Sequence, residues 1–255
     1  GGFSGATSVA IDLTHAFGQL ENVESLLVLR RKKSTTSDKL ATLEQRGIPY
    51  ALISGVAHAI TVYQLVKLCR KWKPDILVAH GFPEHILGRW AGLFAQVPHW
   101  VQVEHNSRER YTSWKLWQSR FLSKKTRYSV GVSEGVTEVL RSQRLFSRIV
   151  AIPNGVDTDK FVRHSQNTIG QRPKDLIMVA RFAKSKDQIT LIQALGLLKA
   201  QGICPNLSFF GGGSSRYLKK VKELAARHSL ESQVSFCTHT PNVDQELAAH
   251  KIFVM

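Results

Sequence analysis

The sequence lacks the features that define several broad classes of protein. It has three scattered cysteines, Cys69, Cys204 and Cys237, with no CxxC spacing. Neither a disulfide framework nor a cysteine metal site is therefore predicted, and a reducing compartment fits the composition best. No apolar run approaches the roughly 18–20 residues that a membrane-spanning helix needs. No group of histidines has the spacing of a metal site.

Acidic residues are scarce relative to basic ones. The 255 residues contain 35 Lys and Arg but 19 Asp and Glu, which gives a formal net charge of +16. Residues 1–156 carry +10 and residues 157–255 carry +6, so the excess is not confined to a tail. Nucleic acid, an anionic membrane surface or a phosphate-bearing substrate could each account for such a charge.

Strand-like and helix-like patterns alternate along the chain. Short apolar runs such as Asp75 to Ala79 alternate with segments of helical periodicity such as Ala59 to Trp72. This alternation predicts an α/β fold with doubly wound parallel sheets. The polar stretch 157–173 has no periodicity, and we interpret it as a linker between an N-terminal domain, 1–156, and a second, partial domain, 174–255.

The two ends of the sequence are abrupt. A glycine-rich turn, Gly1 to Gly5, enters a predicted helix, Ser8 to Phe17, with no strand before it. The last residues, 252–255, have a strand pattern with no loop after it. We therefore expect the sequence to be a fragment that lacks the first strand of its first sheet.

Two cations follow a predicted strand of the second domain. Arg181 and Lys186 lie in the turn between the strand 175–180 and a predicted helix at 188–201. In open α/β sheets this edge binds ligands, and a helix amino terminus adds to the attraction for a diphosphate. Taken alone, the pair is slightly better explained as two solvated surface cations.

Glycines and histidines supply further candidates. Gly1 and Gly2 could let the backbone approach an oxyanion, and Gly211 to Gly213 lie between a strand and a helix, where a nucleotide could approach. A plain turn or close helix packing explains them equally well, because the G-x-G-x-x-G layout is missing. His105 follows a strand and could position or polarise a hydroxyl, or could be structural, and His80 is a weaker candidate of the same kind.

One segment combines aromatic and basic residues. Tyr111, Trp114, Trp117 and Phe121 are interleaved with lysines and arginines. The stripe could face a membrane surface, but aromatic residues at helical spacing more often belong to a core, which is the interpretation we favour at this point.

Three motifs together resemble retaining glycosyltransferases of family 4, which have the GT-B fold. They are Val132-Ser133-Glu134-Gly135-Val136, then Ile152-Pro153-Asn154-Gly155-Val156-Asp157 with Phe161, then Ala180-Arg181-x4-Lys186-Asp187. The segment Phe209 to Gly213, followed by Val234-Ser235-Phe236, continues the match over essentially the whole chain.

The resemblance implies two Rossmann-like domains, an acceptor domain followed by a truncated nucleotide-sugar domain. The family's diphosphate-binding cations match Arg181 and Lys186, and its amino-terminal glycine loop matches Gly1 and Gly2. The histidine near the reacting sugar matches His105. The residues near the nucleotide match Gly211, Gly213, Thr238 and His239.

Family membership implies that the parent is a hexosyltransferase acting in polysaccharide biosynthesis. It would use a UDP- or GDP-linked donor and a saccharide or lipid-linked acceptor, with retention and without a metal or other cofactor. The protein would be cytoplasmic, and its basic charge is compatible with peripheral contact with an anionic membrane. Ala180 and Thr238 stand where the family often has glycine, and the family's paired glutamates would follow Met255. We therefore expect the chain as given to be inactive.

Other functions stay open at this point. A sugar-nucleotide epimerase shares the GT-B architecture and needs no acceptor. A non-catalytic nucleic-acid-binding module would explain the charge, although no nucleic-acid motif is present and we expect no nucleic acid as partner. A nicotinamide oxidoreductase is disfavoured by the missing dinucleotide fingerprint.

Overall fold

The computed structural model describes residues 5–32, 35–106, 112–156, 158, 168–237, 240 and 242–255. The chain forms two compact units, Gly1–Gly155 (unit 1) and Val156–Met255 (unit 2). Most of the predicted linker, 157–173, lies outside the described residues. None of the helices in the described ranges is long and apolar enough to cross a lipid bilayer.

Helices and strands alternate through unit 1, as the hydrophobic pattern predicts. In chain order they are α1 (Gly5–Phe17), β1 (Leu27–Arg30), α2 (Ser37–Gln45), β2 (Tyr50–Ile53), α3 (His58–Trp72), β3 (Ile76–His80), α4 (Glu84–Ala95), β4 (His99–Glu104), α5 (Ser113–Ser123), β5 (Thr126–Gly131), α6 (Glu134–Ser142) and β6 (Ile149–Ala151).

The strands of unit 1 pair in parallel. Strands β3, β4, β5 and β6 form one sheet in that order, and β1 pairs separately with β2. Helix α1 packs against both β1 and β3. One apolar cluster, which includes Ile11, Leu29 and Leu43, lies around β1, and another, which includes Trp100 and Leu122, lies under α4 and α5. The carboxyl ends of the four sheet strands therefore meet at one edge.

Unit 2 contains a second parallel sheet. Its elements are β7 (Lys174–Val179), α7 (Gln188–Ala200), β8 (Leu207–Phe210), α8 (Ser215–Arg227), β9 (Val234–Cys237), α9 (Val243–Ala249) and β10 (His250–Phe253), with short 3-10 turns at Ile169–Gln171 and Lys184–Lys186. The strand order is β10-β7-β8-β9. Fully buried Ile192, Leu195, Phe209 and Val221 join the helices to the sheet.

The parallel α/β architecture is confirmed, and the differences lie at element ends. Helix α1 begins at Gly5 rather than Ser8, and β10 ends at Phe253. Strand β1 begins at Leu27, where its pairing with β2 starts opposite Tyr50. Hydrogen-bonded partners set these limits, and hydrophobic periodicity does not report them.

Ser133 shows that a local pattern can mislead. Residues 131–135 match the G-x-S-x-G layout of hydrolase nucleophiles. Instead of lying free on a sharp turn, the Ser133 hydroxyl accepts the N–H of Val136 as the N-cap of α6. Its placement is that of a helix cap.

The prediction that the aromatic stripe of α5 is core is wrong. Trp114, Trp117 and Phe121 are 65%, 51% and 47% exposed. The inner face of α5 is formed instead by Ser119, Leu122 and Ser123, which are buried. Small polar residues occupy that face because the Ser119 hydroxyl accepts a hydrogen bond from a buried arginine of α4. The aromatic face is therefore left to solvent.

Candidate functional site

The two cations predicted as a pair follow β7 at the carboxyl edge of the unit 2 sheet. Arg181 comes two residues after the strand, and Lys186 ends the 3-10 turn Lys184–Lys186. Both residues are exposed. Helix α7 begins two residues after Lys186, so both positions lie in one turn at a helix amino terminus.

The start of α7 is not capped in the usual way. Asp187, at the N-cap position, has φ 49° and ψ 44°, and its side chain caps no backbone N–H. Its carboxylate accepts the Thr190 hydroxyl instead, at 2.8 Å. The first N–H groups of a helix carry a partial positive charge, so this end of α7 adds to the field of the two cations.

Gln188 is a residue of this turn that the sequence did not single out. Its side chain is fully buried, and its Nε2 donates to the Arg181 carbonyl at 3.0 Å. Its Oε1 is buried with no partner among the described residues. The amide thus ties the arginine's backbone to the first residue of α7. A Gln opening an apolar helix is the one sequence signal that could have indicated it.

Two of the glycines after β8 are needed for close backbone packing. A Cβ on Gly211 would lie 2.2 Å from the Ala180 carbonyl oxygen, and one on Gly213 would lie 2.6 Å from that of Phe182. Phe182 also forms a bridge to Gly213 and donates its N–H to the Gly212 carbonyl at 2.8 Å. Gly211 and Gly213 therefore allow two backbones to touch.

Gly212 differs from its two neighbours. Nothing lies within 4 Å of a Cβ built on it, and the residue is exposed. The loop after β8 is thus held against the arginine turn by two glycines and leaves the third facing open space. Bare backbone of this kind lets an oxyanion come close to N–H groups.

The histidine site lies at the carboxyl edge of the unit 1 sheet. His105 follows β4 directly, and its Nε2 lies 3.1 Å from Nδ1 of His80, the last residue of β3. Burial, together with the neighbouring His105, lowers the pKa of His80 to about 4. Burial also lowers the pKa of His105. Both rings are therefore neutral near pH 7, and a single proton lies between the two nitrogens.

A buried polar network behind His105 went unnoticed in the sequence. Arg89 is fully buried and donates to Nδ1 of His85 at 2.9 Å, which leaves the His85 proton on Nε2. That nitrogen lies 3.7 Å from Glu104 Oε2, and Glu104 Oε1 accepts the backbone N–H of His105 at 3.2 Å. Burial and Arg89 hold the pKa of His85 well below its usual value. The neutral His85 ring thus lies between the buried Arg89 cation and the Glu104 carboxylate, which in turn orients the His105 backbone.

Several predicted residues cannot be placed. Gly1, Gly2, Tyr111, Asp157, Phe161, Thr238 and His239 lie outside the described residues. The structure thus describes Arg181, Lys186, Gly211 and Gly213 together in unit 2, and His105 with His80 in unit 1. The first group can hold a diphosphate-like anion, and the second can accept a hydrogen bond from a hydroxyl.

Comparison with known proteins identifies families over both units. Residues 3–160 match the model described as Glycosyltransferase Family 4, and residues 159–255 match the model described as Glycosyl transferases group 1. No curated protein matches the sequence.

Solved structures share the fold. Anabaena Alr3699/HepE, in complex with UDP and glucose, superposes with a TM-score of 0.76 at 19% identity, over 98% of this chain and 70% of that one. A glycosyltransferase from Rickettsia africae gives 0.76 at 18% identity, over 98% and 69%. UDP-N-acetylglucosamine 2-epimerase from Rickettsia bellii gives 0.60 at 12% identity, over 96% and 70%.

At these identities the structural matches establish the fold alone, which confirms the GT-B prediction. The family model covers more than half of the chain, and it agrees with the motifs at 132–136, 152–157 and 180–187. The chain belongs to glycosyltransferase family 4.

Proposed function

We propose that the parent protein of this chain transfers a hexose from a UDP- or GDP-linked donor to a saccharide or lipid-linked acceptor, with retention at the anomeric carbon. The observation that carries the proposal is the unit 2 edge, where Arg181 and Lys186 flank the open end of α7 and Gly212 presents bare backbone. The structural neighbour from Anabaena, described in complex with UDP and glucose, supports a nucleotide-sugar donor of this kind.

The chemistry follows from where charge develops. As the sugar leaves, negative charge accumulates on the departing diphosphate, and cations already in place stabilise it without reorganisation. Arg181 can bind two phosphate oxygens at once, and Lys186 supplies a point charge. We propose that these residues do the work that a divalent metal does elsewhere, so transfer would need no metal. Strict dependence of the rate on Mg²⁺ or Mn²⁺ would contradict this part.

His105 would act on the acceptor side. A neutral imidazole can accept a hydrogen bond from an acceptor hydroxyl, and the lowered pKa of His105 keeps the ring neutral near pH 7. His80 would limit the ring to one orientation through the 3.1 Å contact between the two nitrogens. We further propose that the protein acts in polysaccharide biosynthesis at the cytoplasmic face of a membrane.

Nucleotide affinity tests the donor site. In isothermal titrations with UDP and GDP, we expect Arg181→Ala to weaken binding of the preferred nucleotide roughly 10- to 100-fold, as loss of a charge-assisted bond does. Arg227→Ala is the matched control, because Arg227 is exposed at the far end of α8. Equal affinity of the Arg181 variant and the unchanged chain would show that the diphosphate lies elsewhere.

Product analysis of the parent protein separates transfer from epimerisation, because an epimerase is also among the structural neighbours. With UDP-glucose alone, an epimerase gives a product in which the altered sugar is linked to the nucleotide, whereas a transferase slowly transfers glucose to water and so yields free glucose and UDP. Proton NMR of the released glucose, recorded before mutarotation, should show the α-anomer first if transfer proceeds with retention. A β-anomer first would rule retention out.

A further inference from the structure

Five aromatic side chains form a continuous ladder on the outer face of α4 and α5. Trp114 stacks on Trp117 with ring centroids 4.8 Å apart, and Trp117 on Phe121 at 6.0 Å. The stacking then crosses to α4, where Trp90 lies 5.6 Å from Phe121 and 5.5 Å from Phe94. All four pairs are within about 21° of parallel. We call this set the aromatic ladder.

The ladder is exposed, which is unusual for so much aromatic surface. Trp114, Trp117, Phe121 and Phe94 are between 47% and 65% exposed. A contiguous apolar patch of this kind normally marks a contact with a protein, a ligand or a membrane. Trp90 donates its indole N–H to Gln118, but the indoles of Trp114 and Trp117 donate to no residue that the structure describes.

The segments that carry the ladder contain cations and no acidic residues. The sequence has no Asp or Glu between residues 110 and 133, or between 85 and 103. Arg120 on α5 and Lys124 and Lys125 just after it are exposed, and Arg70 donates to the Phe94 carbonyl at 3.1 Å. None of these four cations pairs with an acidic group in the described part of the chain. The net positive field is therefore available to an anionic partner.

A cavity lies at the carboxyl end of α4. It has a volume of about 640 Å³ and is lined by Leu93, Gln96, Val97, Pro98, Trp100 and Lys125. Its accessible lining is mostly polar and includes Lys125, so the cavity adds a polar recess at this end of α4.

The ring geometry argues against a platform for sugars or nucleic-acid bases. Such ligands stack on aromatic faces, but inside the ladder each ring covers the face of its neighbour. What the inner rings present outward is mainly their edges. Edges of Trp and Phe beside lysines and arginines are the composition of helices that lie in the interface of an anionic bilayer.

We propose that the aromatic ladder is where unit 1 inserts into the interface of an anionic membrane, with Arg120, Lys124, Lys125 and Arg70 contacting lipid headgroups. This names the surface for the lipid-linked acceptor and membrane contact of the proposed function, on which it rests. It involves no residue of the unit 2 edge.

Vesicle flotation of the full 255-residue chain tests the proposal. We expect binding to vesicles of phosphatidylcholine with phosphatidylglycerol and much weaker binding to phosphatidylcholine alone. The double variant Trp114→Ser/Trp117→Ser should lower the partition coefficient at least about tenfold, since it removes most of the inserted apolar area. Lys124→Gln/Lys125→Gln should lower it roughly 30-fold at low salt and less at high salt.

Matched controls keep the result specific. Tyr63→Ser and Leu197→Ser remove side chains that are each 68% exposed but lie outside the ladder, and they should leave vesicle binding unchanged. UDP titration of every variant should match the unchanged chain, so loss of membrane binding and loss of donor binding can be told apart.

Three results would overturn the proposal. One is failure of the unchanged chain to bind anionic vesicles, and another is equal binding by the Trp114→Ser/Trp117→Ser variant. The third is evidence that the ladder binds something other than a membrane. A second copy of the chain would appear as a dimer in sedimentation equilibrium that this variant abolishes. A saccharide would appear as tryptophan fluorescence that responds to maltooligosaccharides but not to vesicles. Quenching of that fluorescence by brominated lipids, absent in the variant, would support insertion directly.

Discussion

At the scale of the residue, the position of Arg181 at the unit 2 edge depends on a side chain that touches no ligand in our proposal. Gln188 is fully buried beneath the turn and holds the Arg181 carbonyl at 3.0 Å, while its own Oε1 has no partner in the described ranges. A buried amide with one satisfied and one unsatisfied group contributes little net stability. It is therefore better explained as a positioning residue for Arg181 than as a stabilising one.

Replacing Gln188 by Met should separate these two roles. We expect UDP affinity to fall about three- to tenfold, and the free energy of unfolding to change by less than about 1 kcal/mol, because the lost bond is offset by removal of an unpaired acceptor. Gln193→Met, at an exposed position of the same helix, is the control. A large loss of stability with unchanged UDP affinity would show that the amide is structural.

At the scale of the element, two loops act as one unit at the carboxyl edge of the second sheet. The turn after β7 and the loop after β8 are joined by the bridge between Phe182 and Gly213 and by the N–H that Phe182 donates to Gly212. The position of the arginine turn is thus set by contact with residues about thirty positions away in the chain. In our proposal, the two loops therefore hold the diphosphate together.

Substitution of two adjacent glycines of this loop should affect different properties, stability for Gly213 and UDP binding for Gly212. Gly213→Ala places a Cβ 2.6 Å from the Phe182 carbonyl oxygen at φ +142°, so we expect it to destabilise unit 2 by roughly 2 kcal/mol or more. Gly212→Ala meets nothing within 4 Å and should change stability by less than about 0.5 kcal/mol, yet it should weaken UDP binding by crowding the phosphates. Urea unfolding and UDP titration measure the two effects. Wild-type UDP affinity in Gly212→Ala would show that the nucleotide does not approach this face.

At the scale of the whole molecule, the excess of positive charge is not one site. By our proposals, it includes the diphosphate cations of unit 2 and the headgroup contacts of unit 1. Unit 1 also contains buried ionisable groups, since Arg89, His85 and Glu104 are all nearly inaccessible to solvent. Its stability should therefore respond to pH through groups that are far from the protein surface.

Acidification should destabilise unit 1 through its buried histidines. The pKa of His80 falls to about 4 in the folded unit, against 6.5 in an exposed ring. Between these values the unfolded state binds more protons, so stability present above pH 6.5 is lost as the pH falls towards 4, by about 3 kcal/mol for this residue. The lowered pKa values of His85 and His105 act in the same direction.

All five tryptophans belong to unit 1, so their fluorescence reports its unfolding selectively. Urea titrations at pH 7 and pH 4.5 should show a smaller pH effect in His80→Gln than in the unchanged chain. His58→Gln, which alters an exposed residue of α3, should keep the full effect. A pH effect of equal size in both variants would mean that His80 does not contribute.

The sequence by itself determined the parallel α/β alternation, the family motifs and the two cations at a strand end. These features depend on local patterns of apolar, turn and charged residues, which a chain carries before it folds. Three others were decided by tertiary structure alone: the backbone contact that requires Gly211 and Gly213, the relay from Arg89 through His85 to Glu104, and the outward face of the aromatic helix. Each depends on which distant segment packs against a residue. Helical spacing puts Trp114, Trp117 and Phe121 on one face but does not say that the sheet lies behind the other.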